Sequence, residues 1–331
     1  MTTEKSQWQK IAARYAQPDL KKSVWQALNT LIPYLTLFYL SMRSLEISFW
    51  LTLPLTLLTA GFMVRTFIIF HDCGHGSFFK SKRANTWMGR FTGLLTFTPF
   101  YRWSHDHAIH HATAGDLDRR GTGDVYTMTV EEYLAAPWWK RFGYRVMRNP
   151  IAMFVFGPLL VFVAAQRIPG GKPKDRASVW WTNLFLAAMV AVMCLLFGWR
   201  EYLIVQTMVM FFGASAGIWL FYVQHNFEGV YWARHEEWDY FTAAMQGCSF
   251  YKLPAALNWF SGNIGYHHIH HLNARIPNYN LQKAYRENPI FHIKPLTVLG
   301  SLRSLKWRLY DEANRRLTGW EALKTPRSAQ V

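Results

Sequence analysis

The chain has 331 residues, 51% of them hydrophobic and 17% aromatic, with 16 tryptophans. Three cysteines, Cys73, Cys194 and Cys248, exclude a disulfide framework. The formal charge of +16 admits nucleic acid or a membrane surface; because the basic residues flank apolar runs, anionic lipid head groups are the expected partner and nucleic acid is not.

Residues 1–23 are basic and aromatic (Lys5, Trp8, Lys10, Arg14, Tyr15, Lys21, Lys22), start with polar residues and carry no signal-peptide pattern. They are expected in the cytoplasm beside the membrane. Residues 24–42 hold no charge and are just long enough to span a bilayer. Residues 47–70 form a second span, interrupted only by Arg65 near its end, where the side chain can snorkel. Directly after it comes His71-Asp72-Cys73-Gly74-His75, two imidazoles one helical turn apart. Lys80, Lys82, Arg83 and Arg90 follow, which places this end in the cytoplasm.

Residues 91–103 are apolar but too short to cross, so an interfacial or re-entrant segment is expected. In the next stretch, His107, His110 and His111 share one helical face while His105 does not. Residues 112–149 read as a folded polar insert. Residues 151–166 are apolar but of marginal length, and the basic loop 167–176 argues for the cytoplasm, so this run is taken as non-spanning. The third and fourth spans, 179–197 and 202–223, return the chain to the cytoplasm at His225. His267, His270 and His271 repeat the i, i+3, i+4 spacing, with His268 pointing elsewhere. Near the other end, Leu302, Leu305, Leu309, Ala313 and Leu317 predict an amphipathic helix, its basic face on an anionic surface or its apolar face against the rest of the cap.

The expected fold is therefore an all-α membrane protein: one domain over 1–331 with four transmembrane helices, interfacial or re-entrant segments, and a helical cytoplasmic cap formed by 71–178 and 224–331. Both termini fall on the cytoplasmic side. Eight of thirteen histidines lie in three clusters just beyond span ends on that face. Clustered neutral imidazoles suit Fe, Zn, Cu or Ni, and eight are too many for one ion. Two ions in one site is the simplest accounting. A transporter would place ionisable groups near the midplane, and the spans hold almost none. Imidazole-bound redox metals beside lipid suit oxygen activation against an unactivated C–H bond, which zinc, lacking redox chemistry, does not support.

The strings His71-Asp72-Cys73-Gly74-His75-Gly76-Ser77-Phe78-Phe79, His107-x-x-His110-His111 and Gly262-Asn263-Ile264-Gly265-Tyr266-His267-His268-Ile269-His270-His271 resemble the three histidine boxes of the integral-membrane fatty acid desaturases. The resemblance extends through 120–124, 129–133, 223–228 and 276–279, covers roughly residues 25–310, and is strongest to bacterial acyl-lipid desaturases, including the delta-5 type that acts on phospholipids. It implies two irons held by the eight box histidines, with His225 as a ninth ligand. It also implies O2 as co-substrate and membrane-lipid acyl chains as substrate, in a multi-pass protein of the bacterial inner membrane.

The fused cytochrome domain of some members is missing, because Ile168-Pro169-Gly170-Gly171 only imitates its His-Pro-Gly-Gly signature. Electrons are then expected from an external carrier, ferredoxin or flavodoxin, whose acidic surface suits a basic face. Asp72, Asp106 and Glu228 are candidates to orient ligand imidazoles through the free N–H. His105, His235, His268 and His292 are expected to be supporting or structural. No separate protein acid or base is assigned beside the metals. The alternatives are a di-iron hydroxylase or ketolase of an alkane or carotenoid, and a non-catalytic metal-binding sensor or transporter. Misplacing an acyl chain by one methylene costs only about 0.8 kcal/mol, so double-bond position must be set by geometry.

Overall fold

The computed structural model describes residues 2–324 and is mostly helical. Among the described residues, three helices are long and apolar enough to cross a membrane: α3 (Phe49–His75), α9 (Pro173–Phe197) and α10 (Trp199–His225). Each extends beyond its expected span. Helix α2 (Leu20–Ser44) is 25 residues, about 37 Å at the α-helical rise. It is less apolar than those three because Gln26, Thr30, Ser41 and Ser44 line its buried face. These polar residues serve packing: Ser44 Oγ meets Thr52 Oγ1 of α3 at 2.8 Å, the small-residue contact that joins helices in lipid.

Helix α3 is the hub, packed on α2 and α10. Gly213 of α10 permits the second approach, since a Cβ there would stand 2.9 Å from Met63 Sδ. Around them close Tyr34, Phe38, Met42, Phe62, Tyr202, Val205 and Val209. Buried Arg65 donates Nε to Thr30 Oγ1 at 3.0 Å and lies 3.9 Å over the Trp259 ring, so it ties α2 and α3 to the cap.

A helix over Trp138–Met147 (α7) is bent by 63° from the stretch Ala152–Arg167, a broken span or a re-entrant loop. Only Gly157–Leu159 (α8) within that stretch is α-helical; the turns on either side are wound more loosely as π-helix. Its outward residues Ile151, Phe156 and Leu160 are exposed, while Phe154 meets Tyr222 of α10 and Phe162 meets Phe67 of α3.

Two short ribbons complete the cap. Strand β1 (Phe250–Lys252) runs parallel to β2 (Pro295–Thr297), and β3 (Leu309–Asp311) antiparallel to β4 (Arg316–Thr318). The second ribbon corrects the expected amphipathic helix over 302–317. Leu309 and Leu317 are both buried, but as positions of a hairpin rather than rungs of one helical stripe. The turn is made by Asn314, whose amide donates to Asp311 Oδ1, and by Arg315 in the left-handed region at φ 48°. Only Val298–Ser301 and a 3-10 turn over Leu302–Lys306 are helical there.

Candidate metal centre

Each histidine box sits where a helix starts or stops. Ser48 caps the start of α3, and Gly76, at φ 67°, ends it in the left-handed region that glycine adopts without penalty. His71 and His75 thus occupy its last turns. Pro99 opens α5 (Phe100–Thr113), which carries His107, His110 and His111. The third box forms a short helix, α13 (His267–Leu272), set by a tight turn in which Gly262 and Asn263 both take positive φ. His225 is the last residue of α10.

These four segments converge. One group joins His71, His75, His107, His111 and His270; a second joins His110, His225, His267 and His271. Within each, one ligand atom per residue lies within 4.8 Å of the others. The groups abut, with His111 and His271 stacked at 4.0 Å between ring centroids. All nine histidines singled out from the sequence are included.

The inward nitrogens face one another closely. Nε2 atoms approach at 3.1 Å between His107 and His111, 3.0 Å between His111 and His270, 3.1 Å between His110 and His225, and 2.9 Å between His225 and His267. His75 Nε2 and His271 Nε2 are buried with no hydrogen-bond partner. Burial pushes the pKa values of His107, His111, His267, His270 and His271 well below the ordinary histidine range, and the neighbouring imidazoles push the same way. Neutral rings with converging lone pairs are what two cations require. The residues fit a pair of metal ions.

The outer nitrogens are held unevenly. His71 Nδ1 pairs with Asp72 Oδ1 at 3.2 Å, and Asp72 Oδ2 accepts from the backbone and side-chain amides of Asn278 at 2.7 and 2.9 Å. His110 Nδ1 pairs with Asp124 Oδ1, whose other oxygen accepts from the Gly121 amide at 3.1 Å. Asp124 was not singled out from the sequence. It is 14 residues from His110 and in a loop, so helical spacing says nothing of it; the Gly121-Thr122-Gly123-Asp124 turn, with both glycines at positive φ, was the available signal. His225 Nδ1 lies 3.8 Å from the buried Cys248 Sγ.

Two expected carboxylates lie elsewhere. Asp106 faces Arg102 Nε at 2.7 Å, one turn back on α5, and Glu228 is exposed near Arg303. Each pairs with an arginine rather than with a box histidine. The remaining histidines have partners outside the two groups: His268 bonds the Phe291 carbonyl at 2.9 Å and is pushed down to about 4 by burial, His105 pairs with Asp175, His235 with Asp116, and His292 with the Tyr285 carbonyl.

Comparison with known sequences settles the family. The profile described as fatty acid desaturase matches residues 48–292. The chain belongs to the fatty acid desaturase family. It is 47% identical over 324 residues to a fatty acid desaturase of Bacillus subtilis, covering 97% of this chain and 92% of that protein. It is 28% identical over 250 residues to an sn-1 acyl-lipid omega-3 desaturase (ferredoxin) of Synechocystis, covering 71% and 67%. An sn-1 oleoyl-lipid 12-desaturase of the same organism is 26% identical over 245 residues, covering 71% and 68%. The three boxes and the segments between them fall inside the family match; His225 does as well. As a desaturase the protein is an oxidoreductase.

Proposed function

We propose that this desaturase introduces a cis double bond into acyl chains of membrane lipids, using two irons, O2 and two electrons from a separate carrier, ferredoxin or flavodoxin. We place it in the bacterial inner membrane, with the histidine groups and both termini on the cytoplasmic side. The observation that carries the reading is the pair of imidazole groups standing at the ends of two membrane-length helices, α3 and α10. Relatives named as acyl-lipid and as ferredoxin desaturases support the substrate and the donor.

Bound there, two irons would supply the redox chemistry by which O2 becomes two waters. These take two hydrogens from adjacent methylenes, two electrons from the carrier and two protons from solvent. His71, His75, His107, His111 and His270 would hold one ion, and His110, His225, His267 and His271 the other. Asp72 and Asp124 keep the Nδ1 protons of His71 and His110 outward, which fixes the tautomer and leaves Nε2 free. No described carboxylate enters either group, so the proposed ligands are imidazoles throughout.

The test is expression of the full chain in a bacterium, with gas chromatography and mass spectrometry of its phospholipid fatty acids. New cis-unsaturated chains and two irons per purified protein are expected. Hydroxylated or keto products would make it an oxygenase of the alkane or carotenoid kind. Bound metal with no new lipid would favour the sensor or transporter reading.

A further inference from the structure

Three of the four histidine-bearing segments repeat one pattern: an aromatic residue stands four positions before the first metal-facing histidine. The pairs are Phe67 and His71 on α3, Trp103 and His107 on α5, and Phe221 and His225 on α10. Four positions on a helix put the aromatic ring on the same face, about 6 Å back along the axis. On α3 and α10 that step leads from the cap toward the bilayer.

The rings meet the site in a regular way. Trp103 lies flat on His107, with centroids 4.3 Å apart and 22° between planes, and its centroid is 5.7 Å from that of His71 at 63° between planes. Phe221 is 5.2 Å from His110 and 5.1 Å from His225. Each histidine group therefore has its own aromatic neighbour. Phe67 stands behind Trp103 at 5.5 Å and touches Phe162 of the loosely wound stretch 152–164 at 6.2 Å. All three rings are half-buried, and the side chains that meet the outer nitrogens of His71, His110 and His225 are instead Asp72, Asp124 and Cys248.

Resting on the desaturase reading above, we propose that Trp103 and Phe221, backed by Phe67, form the surface on which the lipid acyl chain lies, and that they determine which carbon pair is presented to the metals. An acyl chain has no polar group at its middle to hold it. Shifting it by one methylene changes burial by only about 0.8 kcal/mol, so a rigid wall rather than affinity must fix its position. Flat, two-torsion rings packed on the ligand histidines supply such a wall. Trimming one opens space beside a single metal group, and the chain settles differently against it.

The experiment compares the wild-type chain with Trp103→Ala, Trp103→Phe, Phe221→Ala and Phe221→Leu, expressed in bacterial membranes. Double-bond positions are read by mass spectrometry and iron is measured in the purified proteins. A changed position, or two positional isomers where the wild type gives one, is expected in at least one variant of each pair. The wild-type position in every active variant would overturn the proposal. Loss of all product from all four variants, with or without loss of iron, would also overturn it, by assigning the rings to the support of the histidines. A wild-type chain that makes no unsaturated lipid would instead defeat the desaturase reading itself.

Discussion

The two histidine groups are built from the same side chain but are held by different surroundings. The group of His71, His75, His107, His111 and His270 is framed by helices: its outer carboxylate, Asp72, is clamped by two Asn278 donors inside the packed junction of α3 and α14 (Asn278–Glu287). The group of His110, His225, His267 and His271 is bordered by loops. Its carboxylate, Asp124, belongs to a glycine turn, and a cleft with room for about one water, ≈ 10 Å³, opens between His110, Asp124, Thr127, His225, Asn226 and Trp232. One group is anchored in the helical frame, with Trp103 stacked on His107. The other has Phe221 against His110 and His225 and a polar cleft beside it. If the acyl chain lies on Trp103 and Phe221 as proposed, the difference teaches that lipid and water come nearest each other at the second group.

The largest effect expected is from the ligands themselves. His270→Ala removes a ring that contacts His71, His75, His107 and His111, and should abolish desaturation while the protein stays in the membrane. His267→Ala should do the same from the other group. Lipid analysis with iron counting checks both, and retained product in either variant would contradict the assignment of that group.

Acid should act next. Unfolded histidines protonate near pH 6.5, whereas the five buried ones are pushed well below that, so the folded protein binds fewer protons. Their contribution is fully present above the unfolded value and is lost as pH falls through it, because protons then favour the unfolded chain. Thermal unfolding in detergent should be level above about pH 7 and fall steeply below about 6.5, with metal leaving over the same range. A midpoint that stays level down to pH 5 would contradict the neutral, buried cluster.

Asp124→Asn and Asp72→Asn separate the two groups further. Each should lower metal affinity or activity roughly 10–100-fold, the usual result of losing a partner of a ligand imidazole. Metal titration should show the weakened site to be a different one in each variant. If both weaken the same site, the division into two groups fails. Smallest is the change from Asp106→Asn, which loses a half-exposed i, i+4 contact with Arg102 worth about 0.3–0.5 kcal/mol. Desaturation should be unaltered, and a large loss would return Asp106 to the site.

Much of this was readable from residue spacing. His107, His110 and His111 declare their shared face by helical period alone, and the apolar runs before His71 and His225 mark the helices that deliver them. What the pattern could not convey is pairing across distance. Asp124 reaches His110 only because a loop folds back on α5. Residues 309 and 317 keep a helical phase by coincidence, and tertiary packing of Leu309 and Tyr310 against 128–130 made a hairpin of them. Polar residues such as Gln26 and Ser44, which dilute the apolar signal of α2, turned out to face its neighbours rather than lipid.

Buried Arg148 donates to Asn226 Oδ1 at 2.8 Å and to the Trp307 carbonyl at 3.1 Å, and Asn226 Nδ2 donates to the Ser304 carbonyl. The residue directly after His225 is thus stitched to a segment some 80 positions further on. During synthesis the chain emerges in order, so His110 and His225 leave the ribosome well before residues 304–307, to which Asn226 and Arg148 are bonded. On the proposed reading, a metal ion arriving earlier would meet histidines free to choose wrong partners, so loading is expected to follow the docking of residues 304–307.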